Sequence, residues 1–254
     1  MPAVRNNLNS GSANENAATT WTFTLSFTPT SGRCLLMYIQ SRSALSITSI
    51  TQGGSSATWT LITSSVVSNN NIYVYALADT PVSSNTTITM VLGSANNLFT
   101  TIIEEVSGLV AVAANLLDKS STFAGSGDSY QTGTTATTTT ADEYWVNIYS
   151  WDDQFLSGAP SGTLPTNGYT IVSPNPLQTS AGGWVAGGGS PASISAGQIV
   201  AYKIVTATGT AGGNITDANF GGLAYNGLAI ALNATASTSS SPARRRIVVP
   251  AVMM

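Results

Sequence analysis

Charge is what this sequence most lacks. Asp, Glu, Lys and Arg make up 7% of its 254 residues, against roughly a quarter in a typical soluble domain. Lys119 and Lys203 are its only lysines. Lysine on a sheet edge is a common guard against edge-to-edge pairing, so a β protein of this composition has little defence against its own kind. Neutral hydroxyls and amides keep a surface wet without repelling a second copy. A free, weakly charged β protein is the plainer reading; a subunit packed among neighbours is the one the composition favours.

Histidine is absent altogether. That removes Ser-His-Asp and Cys-His nucleophile systems, the HExxH metalloprotease and nearly all catalytic zinc. No G-K-[ST] phosphate loop occurs, and "GGWVAGGGS" has glycines but no helix pattern after it, so it reads as a loop. Cys34 stands alone, which excludes an internal disulfide; within "RCLLMYIQ" it reads as a buried thiol. The opening "MPAVRNNLNSGSANENAATT" has no apolar core of a signal peptide. No apolar run approaches the ~20 residues of a membrane helix, so neither a signal peptide nor a membrane partner is expected. Taking the three charges of Arg244, Arg245 and Arg246 from the net −3 leaves −6. The body is mildly acidic and the tail basic, a local asymmetry and no nucleic-acid footprint.

What the sequence does have is alternation. In "TWTFTLSFT", Trp21, Phe23, Leu25 and Phe27 share one face and Thr or Ser the other, the period of a half-buried strand. Similar runs follow: "RCLLMYIQS", "SITSIT", "ATWTLIT", "NIYVYALA", "TTITMVL" and "FTTIIEEV", then "TTATTTTA", "EYWVNIYSW", "GYTIVS", "GQIVAYKIV" and "YNGLAIALNA". Turn residues separate them, among them Gly53-Gly54 and Pro81 to Asn85. About a dozen strands at this spacing predict an all-β antiparallel sandwich or barrel, of which the sandwich is preferred. "VSGLVAVAANLLDKSS" reads as a loop with one helical turn. Residues 1–18 read as an N-terminal arm, 19–233 as one sandwich domain, and 234–254 as a flexible spacer with a basic and apolar tail. Two immunoglobulin-like halves, divided between Ser107 and Gly133, are the alternative. The apolar Val110, Val112, Leu116 and Leu117 in that gap argue against a solvated linker.

Two acids suffice for glycoside hydrolysis, so paired carboxylates matter. Glu104 and Glu105 are adjacent on a strand, point to opposite faces and cannot share one site. Asp142-Glu143 opens a strand and is most simply a turn. Asp152-Asp153 follow "YSW" in a loop beside Trp151, where a sugar or calcium could bind. A solvated turn is simpler, since calcium needs six or more oxygens and no DxDxDG loop is present. Trp21, Trp59 and Trp145 fall inside alternating strands and read as core. Trp151 and Trp184 read as loop residues suited to ligand or partner contact. No catalytic residue, metal site or cofactor is expected.

The runs "TSGRCLLMYIQSRS", "SITSITQGGSSATWTLITSS", "TTIIEEVSGL" and "VAYKIVTATGT" resemble the β-sandwich modules of tailed-phage virion proteins and bacterial surface proteins, and the basic and apolar tail is similar to those of phage structural proteins. The resemblance spans about Thr20 to Leu232 and implies a jelly-roll-like, non-enzymatic structural subunit of the decoration or accessory type. It also implies a virion location after assembly in a host cytoplasm. The tail itself suggests how such a subunit would assemble. Arg244, Arg245 and Arg246 would meet carboxylates on another virion subunit or a second copy. Ile247, Val248, Val249, Val252, Met253 and Met254 would dock as an added strand. The other reading is a carbohydrate-binding module using Trp151, Asp152, Asp153 and Trp184.

Overall fold

A computed structural model describes residues 3–14, 18–53, 59–78, 84–96, 99–152, 166–172, 177–180, 183–186, 196–216, 222 and 224–235. The chain is all-β and antiparallel, with no α-helix among the described residues. Its first half carries β1 (Val4–Asn14), β2 (Ala18–Thr24), β3 (Cys34–Ser41), β4 (Ile47–Gln52), β5 (Thr60–Ser65), β6 (Asn71–Leu77), β7 (Thr87–Asn96) and β8 (Phe99–Ser107). The second half carries β9 (Leu117–Ser126), β10 (Ser129–Thr134), β11 (Asp142–Asp152), β12 (Thr170–Ile171), β13 (Leu177–Ser180), β14 (Gly183–Ala186), β15 (Ala196–Thr206), β16 (Gly212–Thr216) and β17 (Ala224–Asn233).

These strands make four layers. Two large sheets, in the orders β1-β8-β3-β6-β5 and β14-β13-β15-β11-β17-β9, form the middle. Leu36, Tyr38, Val74 and Ile102 from one meet Val146, Ile148, Val200 and Ile230 from the other in the central core. The sheet β2-β7-β4 covers the outer face of the first, over Phe23, Met37, Ile39, Met90 and Phe99. The pair β10-β16 covers the outer face of the second, over Tyr130, Tyr149, Trp151 and Ile215. Strands of the middle sheets are thus buried on both faces, and β3 has no exposed residue. Each fully buried Leu or Ile there contributes about 1.5–3 kcal/mol. The expected alternation holds at β2, where Phe23 and Leu25 are buried while Thr22 and Thr24 are exposed.

Each sheet draws its strands from one half of the chain alone, and the strand succession repeats. The order β1-β8-β3-β6 with β2-β7 recurs as β9-β17-β11-β15 with β10-β16. The contacts repeat as well: β5 lies near β9, as β1 lies near β13 and β14. The halves are therefore two sandwiches stacked through their large sheets, with no linker between them. Leu109, Ala113 and Leu116 of the connector are buried, and its one 3-10 turn is Ala113–Asn115, as "VSGLVAVAANLL" predicts.

Several expectations are corrected. The N-terminal stretch is an arm only in being extended, because residues 4–14 are hydrogen-bonded along β8 as an edge strand. "TTATTTTA" is no strand past Thr134; it has β-branched residues but no apolar alternation. Its Thr135 and Thr138 instead bond to Ala211 and Gly209. The Gly-rich 174–196 stretch contains the hairpin β13–β14, which places Trp184 on a strand paired with Thr179. Asp142 and Glu143 belong to the β11 ladder, paired with Thr206 and Val205.

Neutral polar groups clip the two halves together. Asn226 Nδ2 donates to the carbonyls of Ser65 and Asn70 at 3.1 and 2.8 Å, and Ser150 Oγ donates to Asn70 Oδ1 at 2.7 Å. Gln198 Nε2 donates to Thr100 Oγ1 at 3.0 Å. All of these side chains are buried, where an unpaired polar group would cost about 1–3 kcal/mol. The Asn- and Ser-rich composition thus serves the interior as well as the surface.

Candidate functional site

The adjacent carboxylates of β8 do point to opposite faces, and both are wholly buried. Glu104 faces the central core. It accepts hydrogen bonds from the hydroxyls of Tyr38 and Tyr144, and Arg5 Nε of β1 lies 3.4 Å away. Burial raises its pKa, opposed by the two phenols and Arg5. Burial and the nearby Glu104 raise both phenols well above their usual range, so they stay protonated as donors. Glu105, on the other face, accepts from Arg33 Nη1 and Asn7 Nδ2, each at 2.7 Å. Two neighbouring acids thus fasten β1 from both faces of the sheet. Their partners are structural, and neither can reach a solvent-borne substrate.

A second acid pair was not legible in the sequence. Asp118 on β9 and Glu143 on β11 lie side by side. Burial works against ionisation of Asp118, but hydrogen bonds from Thr139 and Lys119 outweigh it and hold its pKa at about 2. Burial raises Glu143, which accepts from Trp145 Nε1 at 2.6 Å. The pair ties the loop around Thr139 to the sheet.

Trp151 is not a loop residue. It lies within β11, between Gly197 and Tyr225 on the flanking strands, and is fully buried against Tyr130, with ring centroids 6.2 Å apart. Gly197 makes the room: a Cβ there would stand 2.3 Å from the indole. The "EYWVNIYSW" alternation runs to its end, so Trp151 keeps the inward face of Tyr149. Trp151→Phe is expected to lower stability by about 1–2 kcal/mol, read in a thermal melt. Asp152 ends β11 opposite Ala196. Its side chain, Asp153, the Trp184 side chain and residues 236–254, including Arg244, Arg245, Arg246, Ile247, Val248, Val249, Val252, Met253 and Met254, lie outside the described residues.

The described residues form two concave sites of note. One, of about 230 Å³, lies where the turn Val67–Asn70 of the first half meets Ala124 and Gly125 of β9 and Ala224 and Tyr225 of β17. Nothing in its lining is charged. Phe123, 39% exposed, stacks on Tyr225 beside it. The other, of about 250 Å³, is polar and lined by Gln131, Thr134, Thr166, Asn167 and Asn214 around Gly212 and Gly213. The buried Asn147 Nδ2 and Tyr149 OH lie against Gly213.

Fold and surface together define a class, a layered antiparallel β-sandwich protein whose polar chemistry is almost wholly neutral. Comparison with protein-family models, curated proteins and solved structures finds no match to this chain.

Proposed function

We propose that this chain is a non-enzymatic virion structural subunit, of the capsid-decoration or accessory type, that assembles through its surface and its C-terminal tail. The observation that carries this reading is an unpaired sheet edge, β9, whose only charges are the Asp118–Lys119 pair at its start, on a chain of 7% charged residues. Among the described residues no strand pairs the outer side of β9, and Ser120 to Ser126 include no ionic group and no proline. A free protein carrying such an edge invites pairing; a subunit uses it. The strand order adds context. The succession 1-8-3-6 over 2-7-4, with the fifth strand beside the sixth, supports a jelly-roll-like reading, and jelly rolls recur in viral capsid domains. That link is by analogy of fold, as is the virion location.

The test is sedimentation of the full chain against a chain lacking 243–254. The full 26.0 kDa chain is expected to form defined oligomers or to bind particles, and the shorter truncated one to sediment as a single monomeric species. Identical behaviour of the two would remove the tail from the mechanism.

Lectin domains also use jelly rolls, and the polar groove at Asn167 and Asn214 gives a carbohydrate-binding alternative a better seat than the buried Trp151. Its neutral amides and hydroxyls suit a sugar's hydroxyls. Selective binding on a glycan array, abolished by Asn214→Ala, would favour that alternative.

A further inference from the structure

We infer that the outer edge of β9, with the apolar cavity at its far end, receives the C-terminal octet Ile247–Met254 of a second copy as an added antiparallel strand. The inference rests on the reading of this chain as an assembling subunit and names the surface that reading leaves open.

The edge has the right length and chemistry. β9 is ten residues long, about 33 Å at strand rise, and an octet covers about 26 Å of it. Its inner side is paired with β17 from Ser126 to Leu117, which leaves backbone donors and acceptors on the outer side for main-chain pairing. The cavity beyond Ala124 and Tyr225 is apolar, and Phe123 stands exposed next to it. The octet carries only apolar side chains.

Charge selects the direction. An antiparallel strand places Ile247 at the Ser126 end, so the preceding Arg244–Arg246 fall beside Asp128. That acid is exposed and accepts the Gly222 N–H at 3.0 Å. A parallel strand would bring the arginines to Asp118, which Thr139 and Lys119 already engage. An exposed carboxylate held by a single backbone N–H is the better partner for a guanidinium.

Reach selects the copy. The described chain ends at Thr235, where N–H and hydroxyl both bond Gly108 O. That point is next to the Leu117 end of β9. The cavity is at the other end of β17, about 30 Å away at strand rise. A random coil of 12 residues, the number separating Thr235 from Ile247, has a root-mean-square span of about 19 Å. A chain's own tail would have to stretch past that span and then reverse direction. A neighbour's tail has neither constraint.

Cysteine trapping tests this in the full chain, with native Cys34 buried. One chain carries Ala124→Cys; others carry Ile247→Cys, Val248→Cys or Val249→Cys. Mixing under mild oxidation is expected to give a crosslinked species of twice the chain mass for at least one pair. Ala124→Arg is expected to weaken self-association about ten-fold or more with an unchanged melting temperature. A crosslink forming only inside single chains that carry both cysteines overturns the second-copy claim. If no pair crosslinks but removing 243–254 still abolishes assembly, the β9 site is wrong and the subunit reading stands. If the full chain never associates, the subunit reading itself fails.

Discussion

Replacing Gly227 by alanine is expected to destabilise the protein more than any other single methyl group added to it. β10 crosses the face of β17 at this residue. A Cβ on Gly227 would stand 1.8 Å from the carbonyl oxygen of Gln131 and 2.8 Å from the Cα of Thr132. Both are backbone atoms, so no side chain can swing aside. Either β10 lifts off the sheet, opening the core of Tyr130, Tyr149, Trp151 and Ile215, or β17 bows away from it. A cost of about 3 kcal/mol or more is expected, a large share of the 5–15 kcal/mol typical of a folded domain. Urea unfolding measures it. Gly213→Ala is the control: its Cβ would meet the Asn147 side-chain amide at 2.9 Å, which can rotate, so about 1 kcal/mol is expected. Equal losses at both positions would mean that β10 does not pack on β17 this closely.

Removing the Glu104 carboxylate is the second large effect. Glu104→Ala strands the hydroxyls of Tyr38 and Tyr144 and the Arg5 guanidinium in the interface between the halves. A loss of about 3–5 kcal/mol is expected, the range for breaking a buried ionic contact from one side. Glu104→Gln keeps an acceptor for one phenol and separates shape from charge. Burial lifts the Glu104 pKa above 4.5, so the folded state holds this proton more tightly than the unfolded chain does. Its stabilising contribution is therefore full at acid pH and is lost as pH rises from 4.5 through the folded value. Glutamine has no such slope. The melting temperature of Glu104→Gln relative to the parent is expected to improve as pH rises across that window. A difference moving the opposite way would mean that Arg5 and the phenols, not burial, dominate at this site.

Strand identity was legible from local pattern, because one residue of shift in a strand exchanges its faces. Trp21, Phe23 and Leu25 alternate in the sequence and share the same core, and Glu104 and Glu105 diverge as their adjacency requires. The helical turn at Ala113–Asn115 was legible too. Trp151 was misread because β11 runs through it to Asp152, and Gly197, the residue that houses it, is 46 positions away. The Asp118–Glu143 pair had no signal at all, since β9 has no apolar alternation and its place comes from pairing with β17.

By itself the sequence determined an all-β, antiparallel protein with neutral polar chemistry and without the side chains of the common nucleophile systems. Those properties depend on residue type and on a period of two, both local. Only the tertiary structure decided that the chain makes two stacked sandwiches with one strand succession, that β1 is pinned by carboxylates on both faces, and that among the described residues β9 pairs on one side alone. Those properties depend on which distant strands meet, and long-range pairing is settled by the packing of whole faces, not by any one stretch of chain.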